Sequence, residues 1–335
     1  MKSFRFIFLI LITTHMTIKA QDYKEDILGA GFEQTVIRQP DDYEGSVITT
    51  LIRKKAVHTT NRAVLYIHGF NDYFFQKEMA EEFTQHNYNF YAVDLRKYGR
   101  AHLPHQKLNN VRDLTEYYAD IDSALQIIQK EGNQKVLLSG HSTGGLVAAL
   151  YADSHNGSPL FSAVFLNSPF FDFNMNAIVK KIGIPYIAKK GLKKPDKTIK
   201  GGFTELYGKS LHKNDYGEWD YNLNWKPHIA PEVNYGFIRA IHYGHQKVKD
   251  SLTIDKPVLV LFSKKSITEK KWSDVLFTGD AILNVKDIES GARKIKGLVT
   301  LKPIDGGLHD LILSPKPVRE NVYKVLFYWL DDFMN

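Results

Sequence analysis

The chain has 335 residues, 43% hydrophobic and 24% charged, which is enough apolar mass to bury a sizeable core and excludes a disordered or fibrous protein. It holds no cysteine, so disulfides, zinc–thiolate centres and lipidation of a leading cysteine are excluded. The formal net charge of +7 is concentrated between Lys180 and Lys213, without the interleaved aromatics of a nucleic-acid motif, so no nucleic-acid partner is expected.

In chain order, the first twenty residues stand apart. Lys2 and Arg5 precede an apolar run from Phe6 to Ile12, and Ala20 offers a small residue before Gln21. This pattern predicts a signal peptide over residues 1–20 and export to a periplasmic or secreted location. The run is shorter than the roughly 20 residues of a spanning helix, so no integral span is expected after cleavage. Cleavage removes Lys2, Arg5 and Lys19 with no acid, lowering the net charge from +7 to +4.

After a short N-terminal stretch, the remainder, 21–335, reads as one domain in which buried-type strands alternate with helices. Strands are expected at Ser46 to Arg53, Ala63 to Ile67, Asn89 to Val93, Lys135 to Ser139, Ala163 to Asn167, Pro257 to Phe262 and Leu298 to Pro303. Helices are expected at Leu114 to Gln129, Gly145 to Ala152 and Val318 to Phe333, from apolar residues at helical spacing. The fold class is therefore α/β, a mostly parallel sheet flanked by helices. The alternation breaks at about 170–250, a segment rich in Lys, Gly and aromatics, which reads as a cap inserted over the sheet.

The run Lys135-Val-Leu-Leu-Ser139 leads through Gly140-His-Ser-Thr-Gly144 into a helical pattern. Strand, sharp turn and helix are what a nucleophile elbow requires: the serine hydroxyl stands exposed at the tip of a strained turn, and positions two either side have no room for a Cβ. The pentapeptide alone arises by chance in roughly one chain in ten of this length. Its setting makes Ser142 the candidate nucleophile and Gly140 and Gly144 the elbow glycines.

A serine needs a base, and histidine suits that task near neutral pH. Of thirteen histidines, His309 in Asp305-Gly-Gly-Leu-His-Asp310 is best placed, after the last strand candidate and before the last helix. The acid that would orient it should follow the strand at Pro257 to Phe262, where the long loop offers Asp274, Asp280 and, further on, Asp287. Asp280 is favoured because it directly precedes Ala281-Ile-Leu-Asn-Val285, with Asp274 next. Two N–H donors for an oxyanion are expected from Thr143 and, after Ala63-Val-Leu-Tyr-Ile-His-Gly69, from Phe70. His68 reads as a wall residue. His242 and His245 lie three apart, but nothing at ligand spacing joins them, so no metal and no cofactor are expected.

Taken together, Ile67-His-Gly-Phe-Asn-Asp-Tyr-Phe74, Val93-Asp-Leu-Arg-Lys-Tyr-Gly-Arg100, Gly140-His-Ser-Thr-Gly-Gly145, Leu166-Asn-Ser-Pro169 and Gly306-Gly-Leu-His-Asp310 resemble the monoacylglycerol lipase-like and serine aminopeptidase-like branch of the α/β-hydrolases, also described as lysophospholipase-like. The resemblance spans nearly the whole mature chain. It implies a catalytic triad of Ser142, Asp280 and His309, an oxyanion hole from Phe70 and Thr143, and a helical cap. In many relatives the acid follows its strand after a short turn, whereas here the loop runs from Ser263 to Gly279.

The expected activity is a serine esterase of lipase or lysophospholipase type acting on a small-molecule or lipid-like ester. Two alternatives stand beside it. An aminopeptidase with the same triad would need a carboxylate for a free amino terminus, with Glu205, Asp215, Glu218 and Glu232 as candidates. A non-catalytic binding protein on the same scaffold is the other.

Overall fold

Strands that are apolar at every position must be covered on both faces, and the computed structural model, which describes residues 21–201 and 204–334, covers them in that way. The leader expected over residues 1–20 lies outside the described residues. The strands are β1 (Lys24–Glu25), β2 (Glu33–Asp42), β3 (Gly45–Lys54), β4 (Arg62–Ile67), β5 (Asn89–Asp94), β6 (Lys135–His141), β7 (Ala163–Asn167), β8 (Thr198–Ile199), β9 (Val233–Asn234), β10 (Val258–Ser263) and β11 (Val299–Ile304). The helices are α1 (Lys77–Gln85), α2 (Glu116–Lys130), α3 (Thr143–Ser154), α4 (Ile184–Gly191), α5 (Glu205–Leu211), α6 (Tyr235–Asp250), α7 (Val285–Ala292) and α8 (Lys316–Phe333).

Among the described residues, nine strands form one sheet in the order β1-β2-β3-β5-β4-β6-β7-β10-β11. The pairs β1–β2, β2–β3 and β3–β5 are antiparallel, and the rest are parallel. This is the α/β-hydrolase architecture. Strand alternation divides the core in two. Leu65, Ile67, Val93 and Leu138 face α2, α3 and α6, whereas Val64, Tyr66, Phe90 and Leu137 face α1 and α8.

All seven expected strands and three expected helices form, with ends displaced by one or two residues. The sequence reading passes over β1, β2, α1 and α7. The buried positions of β2 include Thr35 and Gln39 rather than an apolar alternation, and α1 is a nine-residue helix rich in charge. Between β7 and β10 the chain forms α4, α5, α6 and the two-stranded β8–β9 ladder. Of these, α6 is part of the main core, contributing Phe237, Ala240, Ile241 and Val248, and α4 lies across it. No helix among the described residues is long and apolar enough to cross a membrane.

One buried ion cluster fixes the loops beside β4 and β5. Arg100 grips Asp26 through Nε and Nη2 at 2.7 and 2.9 Å and reaches Asp94 Oδ2 through Nη1 at 2.8 Å. Asp94 in turn accepts the Phe74 N–H at 2.9 Å, which tethers the loop after β4. Both carboxylates are fully buried. Removing the guanidinium therefore strands two charges in a low dielectric, and Arg100→Met is expected to cost about 3–5 kcal/mol. Urea unfolding of the variant beside the parent measures this.

Candidate active site

Parallel strands deliver their carboxyl ends to one edge of a sheet, and the loops that leave those ends meet there. The chain passes from β6 into α3 through Ser142 alone, which adopts φ 52° and ψ −116°. That left-handed φ is strained for a residue with a Cβ. The turn also has no room around it. A Cβ at Gly140 would lie 2.3 Å from the Gly144 carbonyl oxygen, and one at Gly144 would lie 2.3 Å from the His68 carbonyl oxygen. Both glycines are thus required by the close crossing of β6, α3 and the loop after β4.

His309, in the loop between β11 and α8, points its Nε2 at Ser142 Oγ at 2.9 Å. Its Nδ1–H donates to Asp280 Oδ2, also at 2.9 Å. Asp280 has no solvent exposure, and His309 and Ser142 are 4% and 9% exposed. The other carboxylate oxygen of Asp280 accepts the N–H groups of Ile282 and Leu283 at 2.8 and 2.7 Å.

The long loop after β10 does not displace the acid, because it closes on itself. Ile267 N–H donates to the Asp280 carbonyl at 2.7 Å and Asp280 N–H to the Lys265 carbonyl at 2.9 Å. The excursion between them leaves Asp280 beside the strand end, where a short turn would have put it. Asp274 is exposed on a 3-10 turn, and Asp287 pairs with Lys180 at 2.6 Å.

The two expected N–H donors belong to the helix start and the loop that meet at Ser142. Thr143 opens α3, so its N–H has no partner one turn earlier in the helix. The loop carrying Phe70 runs against the serine, since a Cβ built on Gly69 would be 3.2 Å from Ser142 Cβ. His68 stands behind this loop. Its Nε2 accepts the Leu95 N–H at 3.1 Å and its Nδ1–H donates to the Gly69 carbonyl at 2.8 Å. It is a structural wall.

Residues to which the sequence reading assigns no role complete the surroundings. Asp310 accepts from Asn167 Nδ2 at 2.7 Å and from Gln76 Nε2 at 3.3 Å, which fixes the segment next to His309. Asn167 and Asp310 stand inside the motifs quoted above, but nothing local tells that they meet. Tyr207 from α5 accepts the Asp310 N–H at 3.0 Å and sets its ring edge-on to His309, with centroids 5.8 Å apart. His141 lies 4.8 Å from the same ring. Burial pushes its imidazole below the usual range, so it stays neutral beside His309.

The insertion is clamped to the loop after β4. Lys226 pairs with buried Asp72 at 2.8 Å, Asn71 Nδ2 donates to the Pro227 carbonyl at 2.9 Å, and the Asn222 N–H donates to Tyr73 Oη at 2.7 Å. Burial raises the Asp72 carboxyl, but Lys226, His68 and His141 outweigh it and hold the group below its usual range.

Of the two histidines weighed for metal binding, His245 is engaged by the backbone. His245 gives its Nε2–H to the Phe170 carbonyl at 2.8 Å, and burial lowers its pKa to about 3. His212, Asp215 and His228 lie closer together, with ligand atoms within 4.8 Å of one another. Both ring nitrogens of His212 are engaged, however, with the Tyr221 carbonyl at 3.1 Å and the Asn214 N–H at 3.2 Å, which leaves it no lone pair for an ion.

A hydroxyl, an imidazole and a carboxylate in hydrogen-bonded series can move a proton off the hydroxyl and stabilise the imidazolium that results. A family model described as serine aminopeptidase, S33 matches residues 58–268. The chain is 27% identical over 222 residues, 61% of its length and 74% of the relative's, to the AB hydrolase superfamily protein YisY of Bacillus subtilis (strain 168). Its fold superposes on a soluble variant of monoglyceride lipase from Saccharomyces cerevisiae in complex with a substrate analog, with a TM-score of 0.63 and 18% identity over 88% of this chain and 94% of that one. A monoacylglycerol lipase from Paleococcus ferrophilus superposes with a TM-score of 0.60 and 16% identity over 84% and 98% of the two chains.

The Lys226–Asp72 pair gives a prediction with a definite sign. Because the folded Asp72 carboxyl is depressed, its stabilisation is present above the unfolded value near ~4 and is lost as pH falls through the folded one. Lys226→Met is expected to destabilise the protein by about 3 kcal/mol at pH 7, with the deficit shrinking in acid as Asp72 protonates in the parent. Urea titrations at a series of pH values read both.

Proposed function

The chain belongs to the serine aminopeptidase S33 family of the α/β-hydrolases, and from that footing we propose that it is a serine hydrolase cleaving carboxylic esters through an acyl-enzyme on Ser142. The observation that carries the reading is the unbroken series Ser142 Oγ, His309 and Asp280, with both links at 2.9 Å. Ser142 Oγ attacks the ester carbonyl carbon while its proton passes to His309 Nε2. The carbonyl oxygen, now carrying the negative charge, is met by the N–H groups of Thr143 and Phe70. As the tetrahedral intermediate collapses, His309 returns the proton to the leaving alkoxide. Water then repeats the sequence and releases the acid. Asp280 keeps His309 in the tautomer with a proton on Nδ1, held by the two backbone N–H bonds to its other oxygen.

Two features support an ester with an apolar acyl group. The Phe70 and Phe237 rings pack 5.1 Å apart at the candidate oxyanion loop, and the backbone of Phe170, whose ring packs on Phe173 and His245, donates to the Ser142 carbonyl. The fold relatives named as monoglyceride lipases make a lipid-like ester the first substrate class to try. In this reading, residues 1–20 are removed on export and the outer part of 170–250 is the cap that faces the acyl chain.

The family's name keeps the aminopeptidase alternative in play, but that activity calls for a carboxylate able to receive a substrate ammonium. The candidates are already engaged. Glu205 pairs with Lys209, Glu218 with Arg319, and Glu232 accepts from Thr198. Asp215 lies 3.7 Å from His228.

A panel of p-nitrophenyl esters of increasing acyl length, assayed beside an aminoacyl p-nitroanilide, tests the substrate class. The esters are expected to lead in kcat/KM by about a hundredfold or more, and a lead for the nitroanilide would transfer the site to peptide chemistry. Ser142→Ala is expected to lower ester turnover by roughly 10⁴- to 10⁶-fold in a folded protein. Asp280→Asn should cost about 10⁴-fold, by offering His309 the wrong hydrogen-bond pattern, while Asp274→Asn stays within about twofold. The opposite order for the two aspartates would move the orienting role to Asp274.

A further inference from the structure

A carboxylate orients an imidazole only as well as it is itself held. One oxygen of Asp280 faces His309 Nδ1, and the other is taken by the N–H groups of Ile282 and Leu283 at 2.8 and 2.7 Å. The direction of the carboxylate is therefore set by the turn 280–285, and whatever fixes that turn fixes the acid. Two side chains from elsewhere in the chain hold it. Asn174 Nδ2 donates to the Ile282 carbonyl at 2.9 Å, the far end of the peptide unit whose N–H, that of Leu283, meets Asp280. Ser266 holds the next links, its hydroxyl donating to the Leu283 carbonyl at 3.0 Å and accepting the Val285 N–H at 2.9 Å. Val285 opens α7, so its N–H has no acceptor inside the helix.

Ser266 stands at the neck of the excursion after β10. The Asp280 N–H donates to the Lys265 carbonyl and the Ile267 N–H to the Asp280 carbonyl, so Ser266 lies between the two residues that close the loop and is bridged to Asp280 itself. Its side chain is half-buried, and Leu283 beside it is buried. A hydroxyl donates and accepts through a single atom, which an alanine in the same space cannot do. The loop that separates Asp280 from its strand thus carries, at its own start, the group that braces the turn after the acid.

We propose that Ser266 is a positioning residue for the reaction: its hydroxyl fixes the turn 280–285 so that Asp280 presents Oδ2 to His309. The proposal rests on the reading of Ser142, His309 and Asp280 as a catalytic series, and it adds a residue that acts only through the acid.

The parent, Ser266→Ala, Ser266→Thr, Asp280→Ala and Ser266→Ala/Asp280→Ala are compared in hydrolysis of a p-nitrophenyl ester and in the rate of fluorophosphonate labelling at Ser142, which stays measurable when turnover is slow. Circular dichroism and thermal melting verify that each is folded. Ser266→Ala is expected to lower kcat by about 10- to 100-fold with KM within about twofold, because the base is misaligned while the surface that receives substrate is untouched. Ser266→Thr keeps the hydroxyl and should return kcat to within about threefold of the parent. In the Asp280→Ala background, removing the Ser266 hydroxyl should slow labelling by no more than about twofold, since nothing is left for it to orient. Ser266→Cys, whose thiol is a poor donor, replaces the alanine in the same cycle if that variant does not fold. An equal loss with and without Asp280 would overturn the proposal and leave Ser266 a structural support alone. So would a folded Ser266→Ala that turns over at the parent's rate. A parent that neither hydrolyses the ester nor takes the label would overturn the catalytic series itself, and the role of Ser266 with it.

Discussion

The crossing at Ser142 governs the rest of the structure. The chain reverses from β6 into α3 through a single residue at φ 52°, and this is possible only because Gly140 and Gly144 let the β6 end, the first turn of α3 and the loop after β4 approach within contact distances no side chain allows. The strain is offset by what surrounds it. Ser142 N–H donates to the Asn167 carbonyl at 3.0 Å, and the Ser142 carbonyl accepts from Phe170 and Leu146 at 2.9 and 3.0 Å. The backbone groups of Ser142 itself are thus satisfied, and its hydroxyl stands 2.9 Å from His309 Nε2.

From that crossing, one feature of the fold follows another. The loop after β4, forced against the serine, is held from behind by His68 and Asp94 and from the front by the insertion, through Lys226, Pro227 and Asn222. The insertion is tied down a second time on α8 and its approach, where Glu218 pairs with Arg319 and Trp219 Nε1 donates to the Leu313 carbonyl at 3.0 Å. The same segment brings Tyr207 against the residue following His309. Insertion, candidate oxyanion loop and base loop are therefore one mechanical unit.

Much of this was legible in the sequence, for physical reasons. Strands β4 to β7 and β10 read clearly because burial on both faces demands continuous apolar runs, and Ser142 and His309 read clearly because an elbow and a late loop leave local marks. Strand β2 did not, since its buried positions include Thr35 and Gln39. The choice among Asp274, Asp280 and Asp287 stayed open because the backbone bonds from Lys265 and Ile267 that bring Asp280 home are tertiary closures with no local signature. The same holds for Lys226 and Asp72, 154 residues apart, and for Tyr207, which sits in an insertion with no periodicity to place it.

The central claim is that Ser142 is an activated nucleophile, and covalent capture addresses it without any assumption about substrate. The folded protein is treated with a fluorophosphonate, digested and mapped by mass spectrometry, in parallel with His309→Ala. The account predicts one phosphonyl adduct, on the peptide containing Ser142, formed rapidly in the parent and suppressed in the histidine variant. A folded parent that takes no label, or takes it on a residue other than Ser142, would contradict it.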